Sequence, residues 1–377
     1  MREHFHNVQA LRGLACLLVV VYHTAAIESL FGLAFQPLRS TRWFGYAGVD
    51  LFFVLSGFII ASTNGSNLGR SDQLAKYLFR RLWRIYPPFW VAFALTNILW
   101  ACIALSLLQT CTPREVLESI ALFPQDPIPR LMPVAWSLSY ELMFYLAFAL
   151  LFVLPRRIAV AVLAFWGVAV VSALAFDFKP VNRFAALPLS GYVLEFLGGV
   201  LIAWCPFRIG GKAAVGLTLA GLAWAAVTIL AGDHPHPDHL AVLIPRRVLV
   251  YAPAFILLVF ALTAWERNGG RIGWSWLETL GDASYSIYLI HASALAALFY
   301  LTMLVNWSHS RSWHVIWIAV MIASSLGAGL LMHRFVEKPL IGSGKRVTRF
   351  VAIFANGLRS LRKPKLTSSL SPAPRIL

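Results

Sequence analysis

LRGLACLLVVVYH, residues 11–23, is an almost unbroken apolar run with an arginine near one end and a histidine at the other. At about 100° per residue on a helix, eleven steps return to nearly the same bearing, so Arg12 and His23 share one face about 16 Å apart. Composition decides which solvent that face sees. The chain of 377 residues is 59% hydrophobic and 14% aromatic but only 13% charged, with a mean hydropathy of +0.71, far outside the range of soluble globular proteins. The fold class is all-α, a polytopic membrane helical bundle.

Apolar stretches near 20 residues, separated by turns or charges, predict about ten spans. Their limits are 8–30, 46–62, 87–109, 133–154, 158–176, 187–205, 213–231, 248–265, 283–304 and 314–336. With the N-terminus in the cytoplasm, most of the 32 Lys and Arg fall on the inner side, in the loops and beyond Arg334. The positive-inside rule therefore predicts both termini in the cytoplasm, and an even number of spans satisfies it. That orientation and anionic lipid account for the net charge of +16 without nucleic acid. The expected organisation is a transmembrane domain over 1–342 and a basic, Ser- and Pro-rich disordered tail over 343–377.

Several features carry little chemistry. Cys16, Cys102, Cys111 and Cys205 lack metal-ligand spacing and read as apolar fillers. GSGKR at 342–346 lacks the glycine spacing of a phosphate loop. DHPHPDH at 233–239 concentrates three His and two Asp, yet such short clusters are commonly just solvated, and no metal is expected. No cleavable signal peptide is expected at the first apolar run, and no internal repeat of the transporter kind is visible.

Depth arithmetic places the remaining ionisable groups. At about 1.5 Å per residue, Arg12 lies about 6 Å and His23 about 22 Å above the cytoplasmic edge, with Asp50 near 24 Å and Glu141 and Glu195 near 18 Å. Four titratable groups thus share one layer. Charges inside a membrane are costly and mark functional sites by default, although a single buried His or Glu is as often an interhelical hydrogen bond.

Beside these residues stands a resemblance. The Arg12-x10-His23 pattern, GVDLFFVLSGFII at 48–60, RRLWRIYPPFW at 80–90, WSLSYELMFY at 136–145, LGDASYSIYLIH at 280–291 and EKP at 337–339 together resemble the acyltransferase-three family of integral membrane O-acyltransferases. Among its subgroups the chain is most similar to those that acylate bacterial exopolysaccharides and oligosaccharides. The resemblance covers nearly all of residues 7–340 and implies that Arg12 and His23 are the residues most tied to activity; no extracytoplasmic domain of the kind some members append is expected.

What it implies is transfer of an acyl group, acetyl first of all, from cytoplasmic acyl-CoA to a hydroxyl of a cell-surface or exported saccharide, lipid-linked or polymeric. No tightly bound cofactor is expected, since acetyl-CoA is a substrate, and the setting is the bacterial inner (plasma) membrane, multi-pass. Guanidinium groups bind phosphates bidentately, which gives Arg80, Arg81 and Arg84, with Arg12 deeper in, a role in holding acyl-CoA. His23 is the expected general base, with Asp50 or Glu141 fixing its tautomer; depth alone does not choose between them. Ser137, Ser139 and Tyr140 are candidate oxyanion donors by residue type, and Glu195, Tyr285 and His291 are candidate supporting groups. Direct attack by the hydroxyl is preferred to a covalent acyl-enzyme, because no nucleophile is visible beside His23. The alternatives are a proton-coupled transporter using the buried Arg, His and Glu, and a purely structural scaffold.

Overall fold

The computed structural model describes residues 5–31, 35–103, 111–125, 129–178, 180–230, 245–304, 310–344 and 346. The DHPHPDH loop and the tail beyond Arg346 lie outside the described residues. Among those described there is helix and turn but no strand. The main helices are α1 (His6–Glu28), α2 (Gly48–Asn64), α3 (Leu74–Ile103), α4 (Pro113–Ile120), α5 (Trp136–Leu150), α6 (Arg156–Ala175), α7 (Tyr192–Trp204), α8 (Gly211–Leu230), α9 (Pro245–Glu266), α10 (Ser275–Asp282), α11 (Ser284–Leu304) and α12 (Arg311–Met332). Nine helical segments among the described residues are long and apolar enough to cross a membrane. The chain is a polytopic membrane bundle.

The sixth predicted span, 187–205, becomes the 13-residue helix α7, about 20 Å long against a hydrocarbon thickness of about 30 Å. Pro188 lies in a 3-10 turn at Leu187–Leu189 just before it. The short helix is tolerable because it lies inside protein rather than lipid: Tyr192, Val193, Glu195, Phe196 and Val200 are all buried, and irregular backbone at membrane depth needs such cover. Two other boundaries shift for local reasons. The predicted start at Pro87 is overridden, since α3 begins at Leu74 and carries Pro87 and Pro88 within it. At the other end, α12 runs on through a π-helical turn at His333–Glu337.

The helix α4 crosses nothing. A capping box between Thr112 and Glu115 starts it, and hydrogen bonds from Thr112 and then Arg130 hold the Glu115 carboxyl below its ordinary range. Leu117, Ile120 and Phe123 stay exposed beside it, as suits an amphipathic helix lying at an interface.

We call the end at which α1 begins proximal and the opposite end distal. The proximal end is pinned by polar groups: Glu266, at the close of α9, accepts the backbone N–H groups of His6 and, at 2.9 Å, Asn7, two of the donors a helix start leaves unsatisfied. Asn7 is fully buried and binds Leu262 O at 3.1 Å and the Ile272 N–H at 2.9 Å. On α10, hydrogen bonds from His6 and then Arg271 keep the Glu278 carboxyl below the usual glutamate range.

Helices α2 and α7 pack backbone against backbone. A Cβ placed on Gly57 would lie 1.9 Å from Phe196 O, and one placed on Gly199 would lie 1.9 Å from Val54 O. Each backbone thus rests directly on the other, the small-residue packing that substitutes for hydrophobic drive within lipid. Because the opposing atoms are backbone oxygens that cannot rotate away, Gly199→Leu is expected to abolish folded protein in size-exclusion profiles. Gly327→Ala, whose Cβ would meet nothing within 4 Å, should be neutral or stabilising by up to about 1 kcal/mol. Parent-like profiles for both would show the approach to be loose.

Candidate active site

One cavity opens toward the proximal end of the bundle and another toward the distal end. The proximal one opens among α1, α2, α3, α5 and α11. Its cationic part is Arg12 from α1 with Arg81 and Arg84 from α3, three residues apart and therefore on one face. Arg12 donates to Ser284 Oγ at 2.8 Å and to Gln9 Oε1 at 3.0 Å. Arg81 lies over the rings of Tyr145 and Tyr77, at 5.2 and 5.8 Å, and donates to Thr63 Oγ1 at 3.1 Å. Glu141 lines the same cavity and accepts the Tyr145 hydroxyl. Glu337, buried in the EKP motif, accepts from Ser286 at 2.7 Å and pairs with His333 at 2.8 Å. It lies within electrostatic reach of both Arg12 and Arg84. Arg80 sits on the exposed side of α3 and does not line this cavity. Tyr285 does, and its hydroxyl is committed to Ile85 O at 2.8 Å.

The distal cavity is lined by His23 together with Val19, Tyr22, Tyr46, Trp136 and Arg247. The eleven-residue spacing thus brings Arg12 to one cavity and His23 to the other along the same helix. Hydrogen bonding assigns the tautomers. His23 Nδ1 lies 2.9 Å from Val19 O and 3.3 Å from His291 Nε2, while His291 Nδ1 lies 2.7 Å from Tyr288 O. A carbonyl only accepts, so in the neutral rings both Nδ1 atoms carry the proton. His291 Nε2 then accepts a share of the His23 Nδ1–H, and the free lone pair of His23 is on Nε2. The two rings stand edge to face with centroids 4.8 Å apart.

Neither carboxylate expected to orient His23 does so. Asp50 is fully buried and bound bidentately by Arg247, Nε to Oδ1 at 2.8 Å and Nη2 to Oδ2 at 2.5 Å. Arg247 is itself 2% exposed, and its guanidinium lies over the Tyr46 and Tyr192 rings at 4.6 and 5.3 Å. Glu195 borders this pair. Glu141 belongs to the proximal cavity. The single layer of four titratable groups therefore falls into separate groupings, and the group against the His23 imidazole is His291.

Of the candidate oxyanion donors, only Ser137 lines a cavity, the proximal one. The Ser139 hydroxyl is donated to Leu122 O at 2.9 Å, and Tyr140 packs among the rings of Phe53, Trp136 and Tyr192. Arg247 escapes sequence reasoning because the predicted span starts at 248, one residue beyond it, whereas the helix starts at Pro245. The available signal was Asp50, a carboxylate in an apolar helix that needs a buried cation to face.

Comparison with known proteins adds an independent line. A family profile described as an acyltransferase domain matches residues 5–333. The exopolysaccharide production protein ExoZ of Rhizobium meliloti is 29% identical over 330 residues, covering 82% of this chain and 94% of that protein. The acyltransferase MdmB of Streptomyces mycarofaciens is 25% identical over 369 residues, 88% of this chain and 90% of its own length. The O-acetyltransferase OatA of Staphylococcus aureus is 24% identical over 397 residues, 93% of this chain but 59% of OatA. No solved structure matches the chain.

Proposed function

Because the chain belongs to the acyltransferase-domain family, we propose that it moves an acyl group, acetyl first of all, from acyl-CoA in the cytoplasm to a hydroxyl of an exported saccharide. It is a multi-pass membrane O-acyltransferase; the donor, the acceptor and the base are the parts proposed here. The proximal end then faces the cytoplasm, both termini lie there, and the membrane is the bacterial inner membrane. The saccharide acceptor is supported by what the names of ExoZ and OatA state for those proteins.

The observation that carries this reading is the pair of cavities that share Val49 and Tyr288, a proximal one lined by arginines and a distal one lined by aromatic rings and His23. Arg12, Arg81 and Arg84 suit the phosphates and amide carbonyls of coenzyme A. Tyr22, Tyr46 and Trp136 offer flat apolar faces to a sugar ring. The acceptor hydroxyl attacks the thioester carbonyl carbon while its proton passes to His23 Nε2. Val19 O and His291 Nε2 hold the opposite edge of that ring as it becomes an imidazolium. The tetrahedral intermediate then expels the thiolate, the C–S bond breaks, and the proton on Nε2 returns to sulfur. The products are an ester and free coenzyme A. Ser137 lines the donor cavity, with its proton committed to the Tyr288 oxygen at 2.6 Å.

The purified protein in liposomes, given acetyl-labelled acetyl-CoA and an oligosaccharide, should release coenzyme A in step with alkali-labile label on the sugar. If neither the thioester is consumed nor the sugar labelled with any acyl-CoA, the donor and acceptor assignments fall. Family membership decides for an enzyme over the proton-coupled transporter.

A further inference from the structure

The two cavities share two lining residues, Val49 and Tyr288. On the proximal side of this pair lie the three arginines, and on the distal side lies His23. We propose that Val49 and Tyr288 form the constriction that sets how long an acyl chain the enzyme can transfer. The inference rests on the reading that the donor enters from the proximal cavity.

Three observations make the pair a rigid gauge. Tyr288 donates its hydroxyl to Val134 O at 2.7 Å. Since that spends its only proton, Ser137 Oγ, 2.6 Å away, must be the donor to the Tyr288 oxygen. The ring is thereby tied to the turn at Pro133–Ala135 and to the first turn of α5 at once. Its flanks are filled by Phe52 and His291, with centroids 6.3 and 5.8 Å away. Opposite, Val49 sits on the second residue of α2 and is β-branched, so its side chain has little rotational freedom. Both are nearly buried, at 7% and 8% exposure. Neither side of the constriction yields cheaply.

Chain length is read at this point because the thioester carbonyl must reach the hydroxyl that His23 deprotonates. The arm behind the carbonyl lies in the proximal cavity, so the acyl carbons ahead of it have to pass or occupy the gap between Val49 and Tyr288. A methyl group needs almost no room there. A longer chain must displace packed side chains, and protein interiors hold little slack. The cations fix where the arm starts, and the junction fixes how much can extend beyond it.

The test is a series of acetyl-, butyryl- and hexanoyl-CoA with the full-length protein in liposomes, reading kcat/KM for transfer to one oligosaccharide acceptor. The parent should prefer acetyl. Val49→Ala should raise the hexanoyl-to-acetyl ratio by at least about tenfold, the scale on which one or two methylenes are discriminated in an apolar pocket. Val49→Ile should lower the butyryl-to-acetyl ratio, and it remains informative should the alanine variant fold poorly. Tyr288→Phe, which keeps the ring but releases both tethers, should shift selectivity the way Val49→Ala does. A parent that uses all three donors equally, or ratios that stay at the parent value in every variant, would overturn the gauge. Those results still leave an active acyl-CoA-dependent enzyme, whereas failure of the underlying reading appears as a parent inactive with every donor.

Discussion

His23→Ala should lose acyl transfer by about 10²–10⁴-fold, the usual worth of a positioned general base, while unfolding at the parent temperature. The stability expectation follows from position. His23 is only partly buried and borders a cavity, so truncation enlarges an existing space instead of opening a new one in the core. His291 is a poor substitute, because its Nδ1 is held by the Tyr288 carbonyl and the ring is fully buried behind His23. The measurement is labelled transfer in liposomes beside thermal unfolding in detergent. Transfer at the parent rate by a folded His23→Ala protein would remove the imidazole from the chemistry.

Arg247→Ala should cost about 3–5 kcal/mol, the range for breaking a buried ion pair from one side. The loss comes chiefly from stranding Asp50, which is fully buried and bound by two Arg247 nitrogens. Asp50→Leu combined with Arg247→Met should recover most of it, since replacing both charges with apolar groups leaves neither uncompensated. Unfolding of the single and double variants in detergent reads the difference. Equal destabilisation by both would mean that the pair matters through shape and not charge. Arg247 also lines the His23 cavity, so the double variant separates folding from function: restored stability without restored transfer would give Arg247 a part in binding.

The spans were legible because lipid imposes a simple requirement, an apolar stretch of sufficient length, and nine segments among the described residues meet it. What failed was local. Pro87 and Pro88 looked like a helix start, yet α3 passes through them. The segment around Glu195 has the hydropathy of a span but is wrapped by its neighbours, so its helix need not cross lipid. For the site, linear spacing gave height along the bundle and little else. It set Arg12 and His23 on one face of α1 and grouped Asp50, Glu141 and Glu195 by depth. It could not give rotation about each helix axis, and rotation decides contact. Asp50 turns toward Arg247, Glu141 toward Tyr145, and His291 turns toward His23 from a helix that begins 256 positions after Glu28 ends. Such pairings across nearly the whole chain leave no local trace.

The meeting of two hollows at Val49 and Tyr288 also bears on the cell's insulation. Where water reaches both sides of that junction, the voltage that elsewhere falls over some 30 Å of hydrocarbon falls across two side chains. On the proposed reading, a carbon fragment is handed outward past this pair without letting protons follow it. The tyrosine's doubly tethered hydroxyl is a stopper as much as a measure, and a catalyst of this build can be no leakier than that one ring allows.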